Sequence, residues 1–169
     1  MSVDPWRTDE RRALRALVAD FTTREIVPHL ADWERDGEVP RALHEKAAEV
    51  GLLGVAFPEE VGGGGGDAID GFLVAEQIIL SGGSGGLVAA LLTHGIALPH
   101  IVAAGDPDLI ERFVRPTLAG RMIGALGITE PEGGSDVAGI RTRARREGDE
   151  YVVDGAKLYI TSGVRADFV

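Results

Sequence analysis

The chain contains no cysteine, which removes disulfides, thiolate metal ligands and a thiol nucleophile together. Basic residues are outnumbered: 17 Lys and Arg stand against 27 Asp and Glu, a formal charge of −10. An acidic surface repels a phosphate backbone, so nucleic acid is excluded as a partner of the whole chain. No apolar run reaches the roughly 18 residues of a membrane span. The nearest, residues 86–104, is interrupted by Thr93, His94, Pro99 and His100. The opening MSVDPWRTDERR lacks the apolar stretch of a secretory signal. These absences lead to the expectation of a soluble, cytoplasmic protein with no membrane span.

Nucleotide-loop signatures are missing as well. VGGGGGD (61–67) is not followed by a Lys-Ser or Lys-Thr pair and is preceded by the acids of Pro58-Glu59-Glu60, so it is not a phosphate loop. It is read as a flexible link between helices. No glycine triplet has the G-x-G-x-x-G spacing of a Rossmann site. The four histidines form no metal site, because His94 and His100 are six apart, the wrong spacing for one helical face.

What remains suffices for a core: 44% of the 169 residues are hydrophobic. Leu14, Leu17, Val18 and Phe21 recur at helical spacing within residues 9–36, a stretch that Pro28 should kink. Pro40 suits a first helical position, Leu43, Ala47 and Val50 supply the next stripe, and Gly51 ends it. Asp67 and Asp70 form a weak capping-box pattern ahead of a helix whose buried side is expected at Ile69, Phe72, Leu73 and Ile79. GGSGG (82–86) precedes an apolar helix from Gly86 to about Ala104, where missing side chains at Gly85 and Gly86 leave room for something elongated. Asp106-Pro107 starts a last helix towards Gly120. Residues 1–122 therefore read as an all-α antiparallel bundle.

After Met122 the period changes to two. Ile140, Thr142 and Ala144 alternate with Arg141, Arg143 and Arg145, an arginine row read as a solvated strand face. Gly148-Asp149 is a turn. Tyr151–Val153, Asp154-Gly155 and Lys157–Thr161 read as a hairpin with a type-I′ turn, and a last strand is expected from Ala166. Residues 123–169 are thus expected to begin an antiparallel β domain that is incomplete here.

The densest chemistry lies in GITEPEGGSD (127–136). Pro131 keeps Glu130 out of helical conformation. Gly133 and Gly134 could take positive φ and turn successive N–H groups towards one anion. Ser135 adds a hydroxyl there, and Thr129 offers another to a different part of the same long ligand.

GITEPEGGSDVAG closely resembles the signature of the acyl-CoA dehydrogenases, flavoenzymes that desaturate acyl-CoA thioesters. EVPRALHEKAAEVGLLGVAFPEEVGG, GDPDLIERFVRPTLAGRMIGA and GDEYVVDGAKLYITSGVRAD resemble that family's blocks, in order. The resemblance runs from about Trp33 to the end, and WERDGEV and GGSGGL look most like the long-chain members. It implies an all-helical domain, then a β domain, then a C-terminal helical domain absent from this chain. It also implies FAD, an acyl-CoA substrate, an electron-transfer flavoprotein as acceptor, and a homodimer or homotetramer.

Carried over, Leu126, Gly127, Ile128 and Thr129 would line the flavin, with Thr129 bonding its pyrimidine side. Gly134 and Ser135 would approach the diphosphate, and the CoA thioester would come close to Ser135. Tyr159, Ile160 and Thr161 would border the ring, the Thr161 hydroxyl reaching N5. Tyr159 stands where many relatives have tryptophan, and Glu132 where many have glycine. Gly86, Leu87, Ala90 and Leu91 are candidates for the far wall of the acyl chain. No catalytic residue is assigned: the family's base comes from its C-terminal half, and the glutamate equivalent to Glu130 is structural. An acyl-CoA oxidase or flavin monooxygenase of the same fold, and a non-catalytic helical binding protein, are the alternative readings.

Overall fold

The structure, a computed structural model, describes residues 4–169. The Thr8 hydroxyl accepts from the Arg11 N–H at 3.2 Å and starts α1, Asp9–Phe21. Before Pro28 the helix widens into a π turn, Thr22–Ile26. A proline has no N–H to donate and its ring crowds the preceding carbonyls, and the wider turn relieves both. The chain then turns into α2, Leu30–Asp36. Pro40 precedes α3, Arg41–Glu49, as its cap rather than its first residue, and Gly51 ends the element at φ +78°.

The Asp67–Asp70 capping box forms with both of its reciprocal bonds. Arg11 from α1 reaches both carboxylates at 2.7 Å, fixing the rotation of α4, Ala68–Leu80. That rotation corrects the expected buried face. Leu73, Val74 and Ile78 are buried, whereas Phe72 and Ile79 are exposed. The helix is apolar on most sides, so periodicity could not select a face; the packing of α4 on α1 does. Leu17 of α1 is likewise exposed, while Val18 and Phe21 are buried.

Ser84 caps α5, Gly85–Leu92, and α6, His94–Ala104, follows after a break at Thr93. By length and composition the stretch Gly85–Ala104 is apolar enough to cross a membrane, despite the interruptions read from the sequence. Here it feeds both cores. Leu87 and Leu91 join Val18, Phe21, Ile26, Leu43 and Ile78 in one, and Leu98 joins Phe57, Val114 and Leu118 in the other. Each such side chain contributes about 1.5–3 kcal/mol of burial. The last helical stretch comprises α7, Pro107–Leu109, a π turn, Ile110–Val114, and α8, Arg115–Leu118. This second π turn also lies just ahead of a proline, Pro116.

The glycine run at 61–67 is not a flexible link. The N–H groups of Gly64, Gly65 and Gly66 donate to the carbonyls of Gly54, Phe57 and Val55 at 2.8–2.9 Å. A Cβ on Gly63 would lie 2.1 Å from the Phe57 carbonyl oxygen. The glycines are there because two backbone segments touch.

The β region is one antiparallel hairpin, β1 (Arg143–Glu147) with β2 (Glu150–Asp154), joined at the expected Gly148-Asp149 turn. The expected second hairpin does not form. Gly155 sits at φ +158° against Thr142, a geometry unlike a type-I′ turn. Residues 157–168 instead run beside 123–130, through Leu158 N–H to Thr129 O at 2.9 Å, Asp167 N–H to Ile123 O at 2.8 Å and Ala125 N–H to Phe168 O at 3.0 Å. Of the strand expected from Ala166, a single parallel bridge forms, Gly124 with Phe168.

Candidate functional site

The site is built on the contact between segments 123–135 and 157–165. The segments pack closely at Gly127, where a Cβ would meet Val169 Cγ1 at 3.4 Å, Lys157 Cγ at 3.5 Å and Ile160 Cδ1 at 3.8 Å. Leu126, Gly127 and Thr129 are half-buried and Ile128 is exposed. Gly134 lies against Thr129, 3.4 Å from a Cβ position to Oγ1. Thr161 and Ser135, each next in sequence to a residue of these contacts, are exposed.

Two features differ from the sequence reading. Gly133 and Gly134 are not at positive φ, so the expected concave nest of N–H groups is absent. The turn is closed by Glu130 and Gly133, each donating its N–H to the other's carbonyl, at 2.8 and 3.1 Å. Tyr159, expected within the strand Lys157–Thr161, lies in no strand. It is 91% exposed and adopts φ +55°, rare for a bulky side chain and concentrated at functional sites.

Glu130 is buried. Its carboxylate accepts from the Thr142 hydroxyl at 2.6 Å, the N–H groups of Arg141 and Thr142 at 2.7 and 2.9 Å, and Lys157 Nζ at 2.9 Å. The Thr142 hydroxyl, followed by the Arg141 N–H and the Lys157 ammonium, holds the carboxyl far below the usual range. A carboxylate so saturated is a poor proton acceptor, and its work is to join the turn to the residues leading into β1 and to the 157–161 segment. Lys157 also donates to Ile128 O at 2.9 Å. The sequence reading missed Lys157, and no local signal marks a lysine whose partner is 27 residues away.

An open cleft of about 320 Å³ lies between α2, α5 and residues 160–165. Gly86, Leu87 and Ala90 line it with Trp33, Glu34 and Ile160. Leu91 does not; it is buried in the core. Beside Gly86 the nearest group is the Glu34 carboxylate, 3.6 Å from a Cβ position, so the space there faces a charged group. A larger apolar groove of about 540 Å³ lies between residues 52–58, α4 and α6 and shares no residue with the 126–135 or 159–161 segments.

Buried histidines support the region from behind. His94 Nε2 bonds Leu53 O at 2.7 Å, and its ring stacks on Phe57. His44 Nε2 accepts from Arg165 Nη2 at 3.3 Å. Burial, reinforced by the Arg165 charge, pushes the His44 imidazole down to about 4. Between that value and the ordinary 6.5 the unfolded chain takes up a proton that the folded chain refuses. Stability should therefore fall as pH drops through this window, by about 3 kcal/mol at its lower end. Urea unfolding at several pH values checks this, and His44→Gln should flatten the dependence.

Helical domain, hairpin and conjoined 127–135 and 157–161 segments define the class. Residues 8–121 match the acyl-CoA dehydrogenase N-terminal domain and residues 125–169 the middle domain: the chain belongs to the acyl-CoA dehydrogenase family. It is 38% identical over 162 residues to the mitochondrial long-chain specific acyl-CoA dehydrogenase of Sus scrofa, covering 96% of this chain and 37% of that protein. The chain thus spans well under half the length of this curated relative. A probable acyl-CoA dehydrogenase from Mycobacterium abscessus superimposes with TM-score 0.94 at 68% identity, over 96% of this chain and 43% of that one. A glutaryl-CoA dehydrogenase from Mycobacterium smegmatis, solved in complex with FADH2, superimposes with TM-score 0.87 at 29% identity, over 98% and 42% of the two chains.

Proposed function

We propose that this chain supplies the acyl-CoA cleft and one wall of the flavin site of an FAD-dependent acyl-CoA dehydrogenase. One observation carries the reading: the bond from Leu158 N–H to Thr129 O at 2.9 Å, which sets the TEP turn beside an exposed, left-handed Tyr159. The residues present fit FAD. Exposed hydroxyls of Ser135 and Thr161, the half-buried Thr129 and an uncovered aromatic ring flank a glycine-lined edge with nothing near Gly133.

Leu126, Gly127, Ile128 and Thr129 would hold the flavin edge, Gly134 and Ser135 its diphosphate, and Tyr159, Ile160 and Thr161 the ring face. Bound FAD supplies the acceptor for the hydride leaving the β carbon of the thioester. This chain would orient the reacting bond: Ser135 would stand near the approaching thioester, and the Thr161 hydroxyl would be the donor available to the ring. Glu130 takes no proton at the α carbon, because its oxygens are already committed to four donors. The base for the α proton is assigned to the part of the family fold outside these 169 residues, and electrons would pass to an electron-transfer flavoprotein from a homodimer or homotetramer.

The full-length protein should purify yellow and bleach anaerobically when a saturated acyl-CoA is added. Apoprotein that takes up no FAD, or bound flavin that no acyl-CoA reduces, would overturn the reading. The cleft at Gly86, Leu87 and Ala90 is assigned to the acyl tail. Gly86→Leu should drive a side chain towards Glu34 and shorten the preferred chain, cutting kcat/KM for the longest good substrate about tenfold or more. Rates across an acyl-CoA length series measure it, and an unchanged profile would remove the tail from this cleft.

A further inference from the structure

Tyr159 and Ser162 are the two non-glycine residues with positive φ among the described residues, at +55° and +62°. Each such residue disfavours its conformation by about tenfold or more. Left-handed non-glycine backbone persists only where the surroundings impose it. Local bonds, from Gly163 N–H to Ile160 O and from Ala166 N–H to Ser162 O, close the turn but attach it to nothing else. The contact between the Ser162 and Thr93 hydroxyls is long, at 3.4 Å.

Before the bend, Leu158 and Lys157 hold it to Thr129, Ile128 and Glu130; after it, the external grip comes from Arg165. Its guanidinium donates to Val39 O, to Ala90 O at 3.1 Å and to His44 Nε2 at 3.3 Å. One planar fork therefore spans the loop before α3, α3 itself and the C-terminal half of α5. Arg41 fastens the same stretch from outside, donating to Arg165 O at 3.1 Å and pairing with Asp167. Arg165 also lines the cleft next to Gly86, Leu87 and Ala90.

The geometry points to Arg165 as a positioning residue that holds the Tyr159–Ser162 bend left-handed, so that Tyr159, Ile160 and Thr161 face the flavin. This rests on the flavin reading above. It adds that the acyl cleft and the flavin wall share one support, so what fills the cleft bears on how the ring is held. His44 takes part as a neutral acceptor, since a protonated ring would face Arg165 with no lone pair.

The test is FAD affinity of the full-length apoprotein by fluorescence titration, with visible circular dichroism of the bound flavin. Arg165→Met should weaken FAD about tenfold and change the dichroism. Ser162→Gly removes the left-handed penalty at one position. In the Arg165→Met background it should recover most of the lost affinity, to within about threefold of Ser162→Gly alone. A residue that merely bolts two segments together gives no such suppression. If Arg165→Met fails to fold, Arg165→Lys, which keeps the charge but not the fork, is compared in the same two backgrounds. Wild-type affinity and dichroism in the Arg165 variant, or an equal loss with Ser and with Gly at 162, would overturn the inference. Failure of the wild-type protein to bind FAD overturns the functional reading itself.

Discussion

Gly63→Ala is expected to cost about 3 kcal/mol or more, enough to unfold a marginally stable domain. The added Cβ would lie 2.1 Å from the Phe57 carbonyl oxygen and 2.4 Å from its carbon. Both obstacles are backbone, so no side-chain rotation makes room. Moving the segment would break the bonds that Gly64, Gly65 and Gly66 make to residues 54–57, and Phe57 belongs to the second core. Gly85→Ala is the control. Nothing lies within 4 Å of its Cβ position, it opens α5, and alanine there should be neutral or stabilising by up to about 1 kcal/mol. Thermal and urea unfolding of the two variants should differ accordingly, and equal midpoints would mean the glycine loop is not packed as described.

Glu130→Gln should release flavin rather than slow chemistry on bound flavin. The amide replaces one carboxylate oxygen by an NH2 group, and that donor must face either the Arg141 N–H or the cluster of the Thr142 N–H, Thr142 hydroxyl and Lys157 ammonium. Whichever way it turns, a donor meets a donor, and the ion pair with Lys157 is gone. The turn then loses its tie to the residues leading into β1 and to the 157–161 segment together. FAD affinity should fall by about tenfold or more, because charge-assisted bonds are lost rather than neutral ones. Reduction of the flavin that remains bound should proceed near the wild-type rate. Full FAD occupancy with the chemical step abolished would make Glu130 a catalytic group and contradict its buried geometry. Since its carboxyl is depressed, its contribution is present above the unfolded carboxylate range and is lost only as pH falls through the far lower folded value. No change from this group is expected near neutral pH.

Local chemistry was enough to read several element boundaries. Asp67 with Asp70, Asp106 with Pro107, and Gly51 act on backbone groups within a few residues, so nearby sequence contains the whole interaction. The same holds for the Gly148-Asp149 turn, whose strands pair immediately on either side. The glycine run misled because composition cannot tell a slack linker from a tight crossing; the difference lies in Phe57 and Val55, several residues upstream. Lys157–Thr161 misled for the same reason. It has the residues of a strand, but its backbone partner is Thr129, not the neighbouring β2.

The sequence by itself determined several helix caps and stops, the composition of the core and the resemblance of residues 127–139 to one family's signature. Those properties depend on side chains acting within a turn or two, or on a pattern read in order. Tertiary structure alone decided which face of α4 is buried, that Leu91 leaves the cleft for the core, and that Glu130 is satisfied by Arg141, Thr142 and Lys157. It also decided that Arg165 reaches α3 and α5, more than 70 residues upstream. Such pairings are selected by whichever donors and acceptors the folded backbone brings within 3 Å or so of each other, and one-dimensional spacing carries no record of that choice.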